Sequence, residues 1–268
     1  MSKVQANGII MNYEQQGTGE PLVLIPYLAA DHACYAFQIG DYAKRFTCIS
    51  VDPRGAGETD KPEGTYSMEL FADDIAAFMQ AVDIERAHVF GLSLGAATGM
   101  WLAGKYPGLV KSLSLHSAWP ASDEFLRAAV EVWRIMAEGL GSVTEMVIKG
   151  IFPFCFTPEL YAARPEYIES LADFVRSRPM PPVDAFLRQV GAVLSHDATG
   201  VLSSVTAPTL LTFGRHDIVT STRFAGPIRA AVPGAELIVF EDCAHAPIYE
   251  NVEAFNAQTL EFLLRQTG

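Results

Sequence analysis

The chain has 268 residues, half of them apolar and 19% charged, with 31 acidic against 19 basic side chains and a net charge of −12. That length buries a core without disulfide or metal staples, and that much apolar surface offsets the ordering entropy that keeps poorer sequences disordered. An acidic surface repels phosphate backbones, which argues against nucleic acid as a partner.

From the N-terminus, residues 8–15 and 21–25 read as strands around the turn GTGE. Phe46–Val51 (FTCISV) is rich in β-formers and runs into the turn-rich loop DPRGAGETD. Residues 67–81 have helical periodicity, 87–90 form a short apolar strand, 94–106 a helix of Ala, Leu and Met, and Val110–His116 another strand. From 119 to 198 no strand is expected. This stretch reads as helical, rich in aromatics and Met, and broken by Pro120, Pro153, Pro158, Pro165 and PMPP at 179–182. Alternation resumes with a strand at 209–213, a helix at 222–231, the strand Glu236–Phe240 and a last helix Val252–Arg265. Alternation of this kind predicts an α/β fold with a mostly parallel sheet and helices on both faces. The expected layout is a core of 1–118 and 199–268, interrupted by a helical lid at 119–198.

Cys34, Cys48, Cys155 and Cys243 are scattered, form no CxxC pair and read as free thiols. The segment MSKVQANGII lacks a basic-then-apolar leader, and no run reaches the ~18 apolar residues of a membrane span. These features predict a cytoplasmic protein with no membrane partner, a monomer or a homodimer.

The chemistry concentrates at Gly91-Leu92-Ser93-Leu94-Gly95, which follows an apolar strand and opens a helix. A sharp strand-to-helix turn needs residues without bulk around its central serine, and it aims the hydroxyl above the sheet. The Leu94 N–H and the helix dipole then face developing negative charge. A serine needs a base. His245, in the loop after Glu236–Phe240, occupies the late position that a Ser…Asp…His order demands. His88 reads as structural, His116 comes too soon after Ser93 for that order, His196 lies in the return from lid to core, and His216 neighbours an acid. The acid that fixes the imidazole tautomer is expected at Asp217, in Gly214-Arg215-His216-Asp217, in preference to Asp242 or Asp123. The second oxyanion donor should follow the early strand LVLI, where Leu28 is the candidate. No metal or organic cofactor is required.

Together these residues resemble the α/β-hydrolase superfamily over essentially the whole chain: the elbow GLSLG, the DPRGAGETD loop, the GRHD acid loop and the late CAH loop. Pro26-Tyr27 departs from the His-Gly usual before the oxyanion residue, so Leu28 is assigned by the resemblance alone. The stretches IPYLAADHACYAFQ, FGLSLGAATGMWLA, LHSAWP and RSRPMPPVDAF resemble the integron-borne EstX-type esterases. That resemblance implies hydrolysis of the lactone of large-ring macrolide antibiotics. The layout is also similar to 3-oxoadipate enol-lactonases and aminoacrylate-type hydrolases, which imply a small catabolic substrate.

The expected partner is therefore a small-molecule ester or lactone. Substrate contacts are expected from Tyr27, His32 and His116 of the core, and from Trp119, Trp133 and Phe154 of a lid that also carries Phe125, Met136, Met146, Phe152, Phe156 and Tyr161. A small dicarboxylate would want an Arg clamp, for which Arg134, Arg164, Arg176, Arg178 and Arg188 are candidates. A basic amino sugar would want an acid, from Asp31, Asp123, Glu124 or Asp242. A ligand receptor of the same fold and acyl transfer to an acceptor other than water are the remaining readings.

Overall fold

The computed structural model describes residues 1–267, so Gly268, the last residue of the expected core, lies outside the described residues. The strands are β1 (Ser2–Ala6), β2 (Ile9–Gln16), β3 (Glu20–Ile25), β4 (Phe46–Val51), β5 (Ala87–Leu92), β6 (Val110–His116), β7 (Thr209–Gly214) and β8 (Glu236–Phe240). They form one eight-stranded sheet in the order β1-β2-β4-β3-β5-β6-β7-β8. Pairing is antiparallel at β1–β2 and β2–β4, and parallel from β4 through β3, β5, β6 and β7 to β8. Every residue of β5 and β7 is buried. A strand covered on both faces reads as a continuous apolar run, which is why these segments were visible in the sequence.

Strand β1 was not expected. Its five residues SKVQA are mostly exposed and carry no apolar alternation. The signal for it lay in the turn. Asn7 and Gly8 both have positive φ, +44° and +76°, the conformation of a two-residue hairpin that favours Asn-Gly.

The helices begin with α1 (Ala36–Tyr42), α2 (Met68–Ala81) and α3 (Leu94–Lys105). Ser67 caps α2 by accepting from the Leu70 N–H. Between β6 and β7 come α4 (Glu124–Leu140), α5 (Val143–Met146), a π turn at Val147–Ile151, α6 (Phe152–Cys155), α7 (Pro158–Ala163), α8 (Pro165–Ser177), α9 (Val183–Leu194) and α10 (Thr199–Leu202). Pro158 and Pro165 start α7 and α8 rather than break a helix, because the first turn needs no N–H there. The ends of this segment leave the sheet side by side. Ala121 bridges Asp197, and the Ala198 N–H donates to the Pro120 carbonyl at 2.7 Å. After β7 follow α11 (Ala225–Ala231), preceded by a 3-10 turn at Thr222–Phe224, then α12 (Pro247–Glu250) and α13 (Val252–Arg265).

The DPRGAGETD loop is a structural clamp. Asp52 is fully buried. Its Oδ1 accepts the His32 N–H at 2.8 Å and pairs with His32 Nδ1 at 2.7 Å. Its Oδ2 accepts from Asn12 Nδ2 and the Glu58 N–H. Arg54 reaches buried Asp74 through both Nε and Nη2. The four cysteines are free. No helix among the described residues is long and apolar enough to cross a membrane.

Candidate active site

Ser93 lies between β5 and α3 with φ +52° and ψ −116°, a strained conformation for a residue with a Cβ. Two close approaches hold the turn. A Cβ on Gly91 would come 2.2 Å from the Gly95 carbonyl oxygen, and one on Gly95 would come 1.9 Å from that of Ile25. Only glycine fits either position. The Ser93 N–H donates to the His116 carbonyl at 2.9 Å, tying the turn to the end of β6. The Ser93 hydroxyl makes no capping bond to α3.

His245 follows β8 and faces the same cavity as Ser93. Its Nδ1 lies 2.9 Å from Asp217 Oδ2. Hydrogen bonding to a carboxylate puts the proton on Nδ1 and leaves Nε2 free to accept one. The other oxygen of Asp217 accepts the N–H groups of Val219 at 2.7 Å and Thr220 at 2.9 Å. Burial alone would raise the Asp217 pKa. The adjacent His245 and the two backbone donors outweigh it and hold the carboxyl below its ordinary range. Two residues missed in the sequence complete this shell. Ser117, itself at φ +50°, donates through its hydroxyl to the His245 carbonyl at 2.8 Å. The Thr220 hydroxyl donates to the Ser117 carbonyl at 2.8 Å. No hydrogen bond joins Ser93 to His245 among the described residues. Such bonds are often long until substrate binds.

Leu28 and Leu94 line the cavity, and among the described residues neither N–H makes a hydrogen bond. Tyr27 occupies the place of an expected small residue because its ring has somewhere to go. It packs edge-on against Tyr249, with ring centroids 6.4 Å apart. Tyr249 donates its hydroxyl to the Cys34 carbonyl at 2.6 Å, so Tyr27 donates to Tyr249, at 2.9 Å.

The cavity holds about 100 Å3. Trp119, Trp133, Phe152, Phe156 and Phe174 supply its aromatic wall, and Tyr27 joins them. Three expected contacts are corrected. His32 faces Asp52 instead, which holds its pKa above the ordinary value. His116 is fully buried between Phe90 and Phe255, with Nδ1 on the Thr212 hydroxyl at 2.7 Å, and burial pushes its pKa down to about 3. Phe154 does not line the cavity but backs Trp133 edge-on at 5.8 Å.

The charges are corrected too. Of the expected arginines only Arg178 lines the cavity, and of the expected acids only Asp31 does. They neutralise each other, with Arg178 Nη2 at 2.6 Å and Nε at 2.9 Å from Asp31 Oδ2. Arg134, Arg176 and Arg188 pair with neighbouring acids on their own helices. Arg164 stacks on Tyr167. Asp123 caps α4 and binds Arg223. Glu124 and Asp242 do not reach the cavity.

Glu250 bridges the His245 loop and the helical segment. It accepts the Thr157 N–H at 2.9 Å and the Ala244 N–H at 3.2 Å. Burial pushes its pKa up to about 7. Between an unfolded value near 4.5 and this folded value, the native protein holds a proton that the unfolded chain releases. Stability is therefore lost as pH rises through that window. A Glu250→Gln protein lacks this loss, so its melting temperature relative to wild type should climb between pH 4.5 and pH 8. A constant difference across that range would show that Glu250 titrates normally.

A family model described as the alpha/beta hydrolase fold matches residues 20–139. A putative carbamate hydrolase, RutD of Azorhizobium caulinodans, is 27% identical over 250 residues, covering 93% of each chain. The crystal structure of an enol-lactonase from Burkholderia xenovorans superimposes with a TM-score of 0.86 at 22% identity, over 98% of this chain and 100% of that one. A thermophilic esterase from Thermogutta terrifontis gives 0.87 at 24% identity, over 100% and 99%.

Proposed function

Taking as premise that the chain has the α/β-hydrolase fold, we propose that it is a serine hydrolase of uncharged carboxylic esters or lactones. The supporting observation is one cavity that gathers the Ser93 elbow, a His245 imidazole oriented by Asp217, and two unpartnered N–H groups. His245 Nε2 takes the Ser93 proton as Oγ attacks the carbonyl carbon. The oxyanion is received by the N–H groups of Leu28 and Leu94. His245 then protonates the leaving alkoxide, and the acyl group stays on Ser93. Water, deprotonated by His245, attacks the acyl-enzyme and releases the acid. Residues 119–198 act as the lid that walls off the reacting bond.

The neutral Arg178–Asp31 pair and the aromatic wall favour an uncharged, apolar substrate. The finer reading is the lactone of a large-ring macrolide, with Asp31 available to a basic amino sugar. So large a ring exceeds the cavity, and this reading requires the lid to lift. The cavity's volume supports instead a small uncharged lactone or ester, for which the Arg178–Asp31 pair stays closed.

Mass spectrometry of macrolides incubated with the protein separates the two. The macrolide reading predicts a gain of one water with tylosin or tilmicosin. Hydrolysis confined to p-nitrophenyl esters and small lactones removes that reading and keeps the hydrolase. A fluorophosphonate should add to Ser93. An unlabelled protein with no p-nitrophenol burst would be a ligand receptor, and the hydrolase reading would fall.

A further inference from the structure

Helix α9 belongs to the helical segment outside the sheet, yet it grips the loop that carries the Leu28 N–H. Gln189 sits on the apolar face of α9, beside buried Phe186, Val190 and Val193, and is itself 1% exposed. Its Oε1 accepts the Ala29 N–H at 3.1 Å, and its Nε2 donates to the Arg54 carbonyl at 3.0 Å. Both halves of the amide are used, so its orientation is fixed: flipped, it would set N–H against N–H and oxygen against oxygen. The Arg54 end is immobile, because the Arg54 side chain is locked on Asp74.

Ala29 needs such a grip. Its φ is +66°, the left-handed region that a residue with a Cβ enters at a cost. The Ala29 N–H belongs to the Leu28–Ala29 peptide, one plane along from the peptide that carries the Leu28 N–H. Turning that N–H toward α9 fixes this peptide and, through Leu28, restrains the preceding one. A second tie comes two residues on. Asp31 accepts from Arg178, in the connection between α8 and α9, and turns its other oxygen to the Ala33 N–H at 3.1 Å.

We propose that Gln189 is a positioning residue for catalysis: by holding the Ala29 N–H it sets the loop in which Leu28 donates to the oxyanion, so the donor pair is complete only while α9 is docked. Closure of the helical segment and assembly of the oxyanion site are then one event. The inference rests on the reading of Ser93 as a nucleophile.

The test is Gln189→Met, which keeps volume and removes both hydrogen bonds, assayed on a p-nitrophenyl ester with kcat expressed per active site titrated. A misplaced oxyanion donor costs chemistry rather than ground-state binding, so kcat should fall about 10- to 100-fold with KM changed less than about twofold. Inhibition by a trifluoromethyl ketone, whose tetrahedral adduct needs the same donors, should weaken in parallel. Gln189→Glu keeps an acceptor for Ala29 and should retain more of kcat than Gln189→Met. A structural role alone would lower the fraction of titratable sites and leave kcat per site at the wild-type value, and that result overturns the proposal. So would a loss confined to KM. If Gln189→Met does not fold, Gln189→Asn carries the same test, since its shorter side chain cannot span Ala29 and Arg54 together. A wild type that never acylates Ser93 overturns the hydrolase reading instead, before any variant is compared.

Discussion

An Asp217→Asn protein is expected to fold like the wild type and to lose about 10⁴-fold in kcat, the scale seen when a triad acid becomes an amide. Folding should survive because Oδ1 already accepts two backbone donors, from Val219 and Thr220. The asparagine oxygen takes that place, and its NH2 then occupies the position of Oδ2, 2.9 Å from His245 Nδ1. Two donors cannot face each other, so Nδ1 becomes the acceptor and the ring proton moves to Nε2. The imidazole is still in place but can no longer take the proton of Ser93. Ser93→Ala removes the nucleophile itself, and turnover should fall about 10⁶-fold to the level that binding and the oxyanion donors sustain. The check is kcat on a p-nitrophenyl ester alongside circular dichroism of both variants. If Asp217→Asn kept kcat within about tenfold of wild type, another carboxylate would have to orient His245. Asp123 is poorly placed for that role, being held by Arg223 and the α4 terminus.

The chain positions of the three proposed roles were legible in the sequence because each stands at a strand end followed by a turn. Ser93 after β5, Asp217 after β7 and His245 after β8 are fixed by local pattern and by parallel pairing. Side-chain direction was less legible. Along β6, Leu113 and Leu115 approach Gly99 of α3, whereas His116 meets Phe255 of α13. Alternation along a strand puts neighbours on opposite faces, so His116 belongs to the face away from α3. Which elements covered that face was a tertiary fact. His32 failed for the same reason: its neighbours in sequence are loop residues, and its partner Asp52 comes from another strand end. Gln189 left one sequence signal, a polar side chain on the apolar stripe of α9, and a buried polar group calls for a partner. Nothing local could name that partner, which lies 160 residues away.

Gly95→Ala should add a severely damaging methyl group at the site. The new Cβ would lie 1.9 Å from the Ile25 oxygen, 2.7 Å from the Ile25 carbonyl carbon and 2.8 Å from the Pro26 oxygen. All three are backbone atoms, so no rotamer change relieves the contact. Either α3 lifts off β3, or β3 shifts between β4 and β5, to both of which it is hydrogen-bonded. The first disrupts a packed interior, and the loss should exceed about 4 kcal/mol, the range of severe core changes. The second carries Pro26 and the Leu28 loop with it, so any stability recovered is lost in kcat. Gly191→Ala is the matched control. It stands exposed on α9 with no atom within 4 Å of a new Cβ, and replacing a helical glycine there should stabilise by about 1 kcal/mol. Urea unfolding and kcat on both proteins decide the point. A Gly95→Ala protein that kept both its midpoint and its kcat would mean that α3 does not press on β3 as closely as 1.9 Å implies. The strained Ser93 turn would then need another cause.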